Sequence, residues 1–303
     1  MTIQEAKTYG KANLPGSPTP ELDTDVILQH ATGFDRTHLL LNRGYALTTE
    51  QEATFTEAIG KRATGLPVAY ITHEKEFYGR NFYVDENVLI PKPDTETLIE
   101  KALETASEIE KSKSFNSDSF RICDLCSGSG CIGITFLKEL LRTSPGLHEK
   151  AEITFIDISE SALKVTMLNA VRIFSESENG KARFFRSDLF ESLDGNSAVD
   201  WKFDLILTNP PYIPSKEAAD LLKDGRSEPI LALDGLSEDG LGIIRRLLPQ
   251  AFGRLKKGGK IIMETGEYNA KEAAALMEEC GFSGVHITKD MNGMDRDVSG
   301  TKA

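Results

Sequence analysis

Phe120-Arg121-Ile122-Cys123-Asp124-Leu125-Cys126-Ser127-Gly128-Ser129-Gly130 is an apolar run that stops on a glycine-rich loop. Its apolar and aromatic residues, bounded by turn formers, predict a buried strand, and the segment 131–141 behind the loop predicts a helix. Strand, glycine loop and helix together open a βαβ unit. The alternation continues downstream, with strands expected over 152–157, 182–186, 203–208 and 260–264 and helices over 160–174, 241–255 and 270–280. This pattern specifies an α/β fold built on a mostly parallel, doubly wound sheet, whose ligands sit at the carboxyl ends of the strands.

Upstream the pattern is different. Residues 1–66 read as a small helical domain: 23–31 and 36–42 carry apolar residues at helical spacing, and Thr49-x-x-Glu52 reads as a capping box opening a third helix. The runs Val68-Ala69-Tyr70-Ile71 and Asn81-Phe82-Tyr83-Val84, separated by Gly79, predict a β-hairpin linker over 67–92. The catalytic-type domain then spans 93–303, opening with a helix over 96–109 that Asp94 or Thr95 can cap. The polar stretch 107–119 reads as a solvated loop.

Composition narrows the class. The 303 residues are 40% hydrophobic and 27% charged, as in ordinary globular enzymes, and hold no apolar run of membrane-spanning length. The amino terminus lacks the basic and apolar regions of a signal peptide, which predicts a cytoplasmic protein. The net charge is −12, and no basic half is hidden in it: residues 1–92 hold 9 basic and 12 acidic side chains, the remainder 26 and 35. Direct nucleic-acid binding, which needs Lys and Arg against phosphates, is therefore not expected. Cys123 and Cys126 form a C-x-x-C, but no histidine stands nearby to complete a metal set, so small buried side chains are expected there and no metal.

Gly128, Gly130 and Gly133 also satisfy G-x-G-x-x-G, which makes a dinucleotide the first ligand to weigh. Two acids favour another. Asp157, ending the second strand, suits a ribose diol in either case, but Asp124 beside the loop is unfavourable near a pyrophosphate and favourable near an ammonium and a sulfonium. S-adenosylmethionine carries both cations and a ribose. Asp188-Leu189-Phe190, after the third strand, can supply an edge contact and an apolar wall for its adenine.

The strand over 203–208 ends on Asn209-Pro210-Pro211-Tyr212. Asn209 is held extended by the proline after it, and the two prolines fix the backbone beyond. The Asn209 carboxamide and the Pro210 carbonyl are both acceptors, so a planar NH2 group can give one hydrogen to each while Tyr212 packs on its face. Those two groups and Tyr212 are the candidate catalytic elements, and Pro211 completes the candidate substrate pocket.

These stretches resemble the HemK/PrmC family, the glutamine methyltransferases that modify the GGQ motif of peptide chain release factors. The resemblance covers nearly the whole chain. It rests on Pro67-Val68-Ala69-Tyr70-Ile71, Glu76-Phe77-Tyr78-Gly79, Leu89-Ile90-Pro91-Lys92-Pro93-Asp94-Thr95-Glu96, the glycine loop, Asn209 to Tyr212, Glu228-Pro229 with Ala232-Leu233, and Gly293-Met294-Asp295-Arg296. It implies a seven-stranded Rossmann-like class I methyltransferase sheet, with its last two strands around 285–289 and after Arg296 and one of them antiparallel. It also implies S-adenosylmethionine bound by Cys126, Ser127, Gly128, Ser129, Gly130 and Asp157, with Leu189 bordering the adenine and Asn209 meeting both cofactor and glutamine. Release factors would be the partners, docked in part by the helical amino-terminal domain.

This sequence departs from the family pattern at four places. Cys126-Ser127 stands where Gly-Thr is usual, Lys92 where arginine is, His73 where glycine is, and Asn269 where glutamine is common. The residues alone leave open methylation of a ribosomal-protein glutamine, methylation of an adenine amino group, and a non-enzymatic role as a cofactor-binding assembly partner.

Overall fold

The computed structural model describes residues 1–111, 118–195, 201–223 and 227–303. They fall into two compact units: Met1–Glu74 with Leu221–Ser227, and Lys75–Asp220 with Glu228–Ala303.

The first unit is helical. Its helices are α1 (Ile3–Asn13), α2 (Pro20–Thr32), α3 (Arg36–Leu41), α4 (Thr49–Ala63) and α5 (Val68–Thr72). Capping boxes open α1 at Thr2 and Glu5 and α4 at Thr48 and Gln51, so the box expected at Thr49 and Glu52 forms one residue earlier, where the same pattern also fits. Ile3, Leu14, Ile27, Leu28, Leu39, Phe55 and Ile59 make the core. Asp23 of α2 accepts from Arg62 Nε of α4 at 2.6 Å. The strand expected at Val68–Ile71 is the helix α5: Pro67 fixes its entry, and Val68 and Ile71, three apart, both pack on the helical core.

The second unit opens with the hairpin of β1 (Glu74–Phe77) and β2 (Arg80–Tyr83), turned at Tyr78 and Gly79, both with positive φ as in the mirror-image turns that match strand twist. A short 3₁₀ turn over Pro93–Thr95 leads into α6 (Glu96–Lys111). This helix runs through 107–111, part of the stretch expected to be a loop; residues 112–117 of that stretch lie outside the described residues.

The remaining strands are β3 (Phe120–Leu125), β4 (Ala151–Asp157), β5 (Ala182–Arg186), β6 (Phe203–Thr208), β7 (Leu255–Glu264), β8 (Phe282–Lys289) and β9 (Asp295–Lys302). They form one sheet in the order β5-β4-β3-β6-β7-β9-β8, parallel except that β9 runs antiparallel to both neighbours. The helices between them are α7 (Cys131–Thr143), α8 (Pro145–Lys150), α9 (Glu160–Ile173), α10 (Glu176–Asn179), α11 (Ser215–Lys223), α12 (Gly242–Arg254) and α13 (Ala270–Glu279).

Alternate residues of the central strands enter opposite layers. Ile122, Leu205, Leu207 and Ile262 join Leu98, Ile99, Phe136 and Leu137 in one core, whereas Cys123, Ile206, Ile261 and Met263 join Ile244, Leu247, Leu248 and Met277 in the other. Burial on both faces explains why these strands read as continuous apolar runs. The order reverses at β3, whose neighbours are β4 and β6, and the loops after these three strands share one end of the sheet. Among the described residues no helix is long and apolar enough to cross a membrane.

Candidate active site

Leu125 of β3 is in register with Ile156 of β4 and Thr208 of β6, which sets Cys126, Asp157 and Asn209 side by side at the strand ends. A cavity of about 330 Å³ opens there. Of the residues expected from the sequence, Cys126, Ser127, Gly128, Ser129, Asp157, Asp188, Leu189, Asn209 and Pro211 line it. Asp124, Gly130, Pro210 and Tyr212 do not.

The glycine loop is tied to its immediate surroundings. Ser127 N–H donates to Ile156 O (3.1 Å), Gly128 N–H to Asp157 Oδ2 (2.9 Å) and Gly130 N–H to Ser127 O (2.7 Å). Helix α9 props it from outside, with Thr166 Oγ1 donating to Gly128 O (2.8 Å) and Asn169 Nδ2 to Ser129 O (2.9 Å). A phosphate cradle needs free N–H groups, and these three, with that of Gly133, are already used inside the protein. The G-x-G-x-x-G spacing is therefore not a pyrophosphate site here. At Gly128, with φ +53, a β-carbon would meet nothing within 4 Å, so the loop leaves open space on the cavity side. At Gly130 a β-carbon would lie 2.7 Å from Thr166 Cγ2, which assigns this glycine to loop packing against α9.

Asp124 is fully buried behind the loop, where its Oδ2 accepts from Gly133 N–H at 2.8 Å. Burial, with Asp157 adding to it, pushes its carboxyl well above the usual range despite that bond. Asp124 therefore does not reach the cavity and cannot face a bound cation there, whereas Asp157 and Asp188 both line it. Burial also raises Asp157, opposed by the N–H groups of Ser159 and Gly128. Asp188 accepts from Arg246 Nη2 at 2.7 Å, and Arg246, a residue of α12 that the sequence did not single out, also lines the cavity.

Two departures from the family pattern share one backbone feature. Cys126 has φ +59 and His73 φ +56, both in the left-handed region that favours glycine. Lys92 donates to buried Glu228 Oε1 at 2.9 Å, and Ile90 N–H donates to the same oxygen at 3.2 Å. The stretches 89–96 and 228–229, far apart in sequence, therefore meet at the cavity rim.

Asn209 Nδ2 donates to Thr95 Oγ1 at 3.5 Å. Pro210 is buried behind the wall, and the Tyr212 ring turns into the core, its hydroxyl donating to Glu264 Oε1 at 3.0 Å. Burial, followed by Glu264, lifts the Tyr212 phenol well above its usual value. The Tyr212 carbonyl accepts from Asn269 Nδ2 (3.1 Å) and Tyr268 Oη (3.3 Å). The shorter amide at 269 thus reaches the tetrapeptide backbone. Thr95 and Glu264 belong to this arrangement without any local signal for it, because the partners are strands apart.

Comparison with known proteins agrees with this geometry. The PrmC N-terminal domain model matches residues 5–72, and the methyltransferase small domain model matches residues 96–225. The chain is 34% identical over 305 residues to the release factor glutamine methyltransferase of Koribacter versatilis, covering 100% of this chain and 99% of that one. It is 37% identical over 282 residues to the protein of that name from Leptospira interrogans, covering 93% and 91%. Among solved structures, the hMettl16 catalytic domain in complex with a MAT2A 3'UTR hairpin shares the fold, with a TM-score of 0.50 at 14% identity over 82% of each chain. With its full length aligned to such relatives, the chain belongs to the release factor glutamine methyltransferase family.

Proposed function

We propose that the protein transfers a methyl group from S-adenosylmethionine to the side-chain amide nitrogen of the GGQ glutamine of peptide chain release factors. The observation that carries this reading is the Asn209 carboxamide in the wall of a cavity whose floor is the glycine loop after the neighbouring strand. The cavity suits the cofactor in its donor set: Asp157 for the ribose hydroxyls, Leu189 and Asp188 for the adenine, and the loop Cys126–Ser129, open at Gly128, for the amino-acid end. When bound, S-adenosylmethionine supplies an electrophilic methyl carbon on a sulfonium.

The chain's own task is to make a poor nucleophile good enough. An amide nitrogen shares its lone pair with the carbonyl, so the carboxamide of Asn209, which lines the cavity where Pro210 does not, accepts one of its hydrogens, raises its electron density and aims it. Pro211 lines the pocket, and the fixed Tyr212 anchors the loop that holds it. No side chain of the tetrapeptide is a strong base, so the amide proton leaves late, to solvent. The helical unit over 1–74 contributes to holding the release factor, and the reaction takes place in the cytoplasm.

Incubation with labelled cofactor and the cognate release factor tests this reading. Methyl transfer that vanishes when the acceptor glutamine is replaced by alanine is expected, and equal labelling of that variant overturns it. Asn209→Ala is expected to lower kcat about 100-fold, the scale for losing a preorganised polar contact to the reacting group, with the fold intact.

A further inference from the structure

Two parts of the family pattern have no role in the reading above: Pro93-Asp94-Thr95-Glu96 and Gly293-Met294-Asp295-Arg296. The structure brings both to one place. Glu264, the last residue of β7, is 2% exposed and does not line the cavity. Its carboxylate accepts from the Tyr212 hydroxyl at 3.0 Å, and Thr95 of the 93–95 turn receives the Asn209 amide at 3.5 Å. One buried carboxylate therefore holds one end of Asn209-Pro210-Pro211-Tyr212, and the hydroxyl of that turn holds the other.

The surroundings hold that carboxylate in place. Asp94, next to Thr95, lies 3.4 Å from Arg296 Nη2, which also pairs with Asp290 at 3.0 Å, so the 93–95 turn is anchored to β9. Asp297 of β9 is the register partner of Glu264 and is fully buried as well. Burying a carboxylate is unfavourable unless its bonds repay the loss of water, and an apolar side chain fills a core more cheaply. The hydrogen bond that Glu264 makes goes to Tyr212, and its Oε2 has no partner among the described residues, so packing alone does not account for a carboxylate here. Its chemistry thus serves the pocket wall.

We propose that Glu264 is a positioning residue for methyl transfer, holding Tyr212 so that Asn209, at the other end of the same tetrapeptide, keeps its aim. This rests on the reading of Asn209 as an acceptor for the substrate amide. Glu264 touches neither substrate nor cofactor, so its effect belongs in kcat and not in cofactor affinity.

Steady-state methylation of the release factor and calorimetric binding of S-adenosylmethionine are compared for the full chain carrying Glu264→Ala, Glu264→Gln, Tyr212→Phe and Asn209→Ala. Glu264→Ala is expected to lower kcat about 10-fold with the cofactor Kd changed less than about 2-fold, the pattern of a lost orienting interaction. Glu264→Gln, whose amide oxygen still accepts from Tyr212, recovers most of that rate. Tyr212→Phe combined with Glu264→Ala loses less than the product of the single losses, as for two residues acting through one bond. Wild-type kcat in Glu264→Ala alongside a slow Asn209→Ala overturns the positioning role alone. Multiplicative losses, or a loss confined to cofactor Kd, overturn it too. Full kcat in Asn209→Ala overturns the underlying reading of the site.

Discussion

The loops after β3 and β6 stand side by side and are held in opposite ways. The glycine loop is secured from nearby in the chain: its own carbonyls, the end of β4 and the face of α9, at separations of up to 40 residues. The Asn209–Tyr212 segment is secured from afar, by Thr95 at a separation of 114 residues, Glu264 at 52 and Asn269 at 57. The cofactor loop needs only the consecutive segments from β3 to α9, whereas the substrate wall needs the finished sheet. Local damage should therefore stay local at the first loop, and remote damage should reach the second.

The largest expected effect comes from a residue with no role in chemistry. A β-carbon at Gly240 would lie 2.1 Å from the Tyr212 carbonyl oxygen, and its φ is +75. Backbone cannot yield as a flexible side chain does, so Gly240→Ala is expected to destabilise the protein by about 3 kcal/mol and to cost activity beyond that loss. Denaturant unfolding together with kcat checks it, and a variant of normal stability and rate would erase the contrast between the loops.

A smaller effect is expected from Asp297. Burial, with Glu264 adding to it, raises its carboxyl from 3.8 to about 8. Between those values the folded protein binds more protons than the unfolded chain, so stability falls as pH rises through that window and levels off above it. Asp297→Asn removes this term: the melting temperature should rise at pH 9 relative to wild type and scarcely change near pH 4. An unchanged pH slope would refute the assignment.

The smallest effect belongs to the glycine loop. Cys126→Gly and Cys126→Ala both delete the thiol, but only alanine keeps a β-carbon at φ +59. The glycine variant is expected to be the more stable by about 1 kcal/mol, with cofactor binding retained in both. Equal stabilities would mean that the left-handed backbone at 126 carries no strain.

What the sequence reveals follows the same division. The bounds of β3 and β6 are read directly because short buried strands of a parallel sheet write themselves as apolar runs, and the residues of the glycine loop follow from adjacency. Asp124 shows the limit of such reading, since its position beside the loop is plain but its burial depends on α7 packing over it. Val68–Ile71 fails for the reverse reason: a short β-branched run suits either element, and a helical neighbour settles which. Thr95, Glu264 and Arg246 carry no local signature, because their partners come from other layers of the fold. Asn269 was visible only as a departure from a pattern, and the bond to Tyr212 gives that position its meaning.

Strand β9 leaves the ribosome after β7 and β8 yet lies between them. The nascent chain therefore cannot finish its sheet in the order in which it is made; β8 must wait, or part from a provisional neighbour, until residues 295–302 arrive. A chain interrupted before residue 295 leaves the β7 edge bare, a template for pairing with a second copy, and has nothing beside Glu264 to complete the wall behind Tyr212. Competence for the reaction and protection from aggregation thus arrive together, with the insertion of one strand.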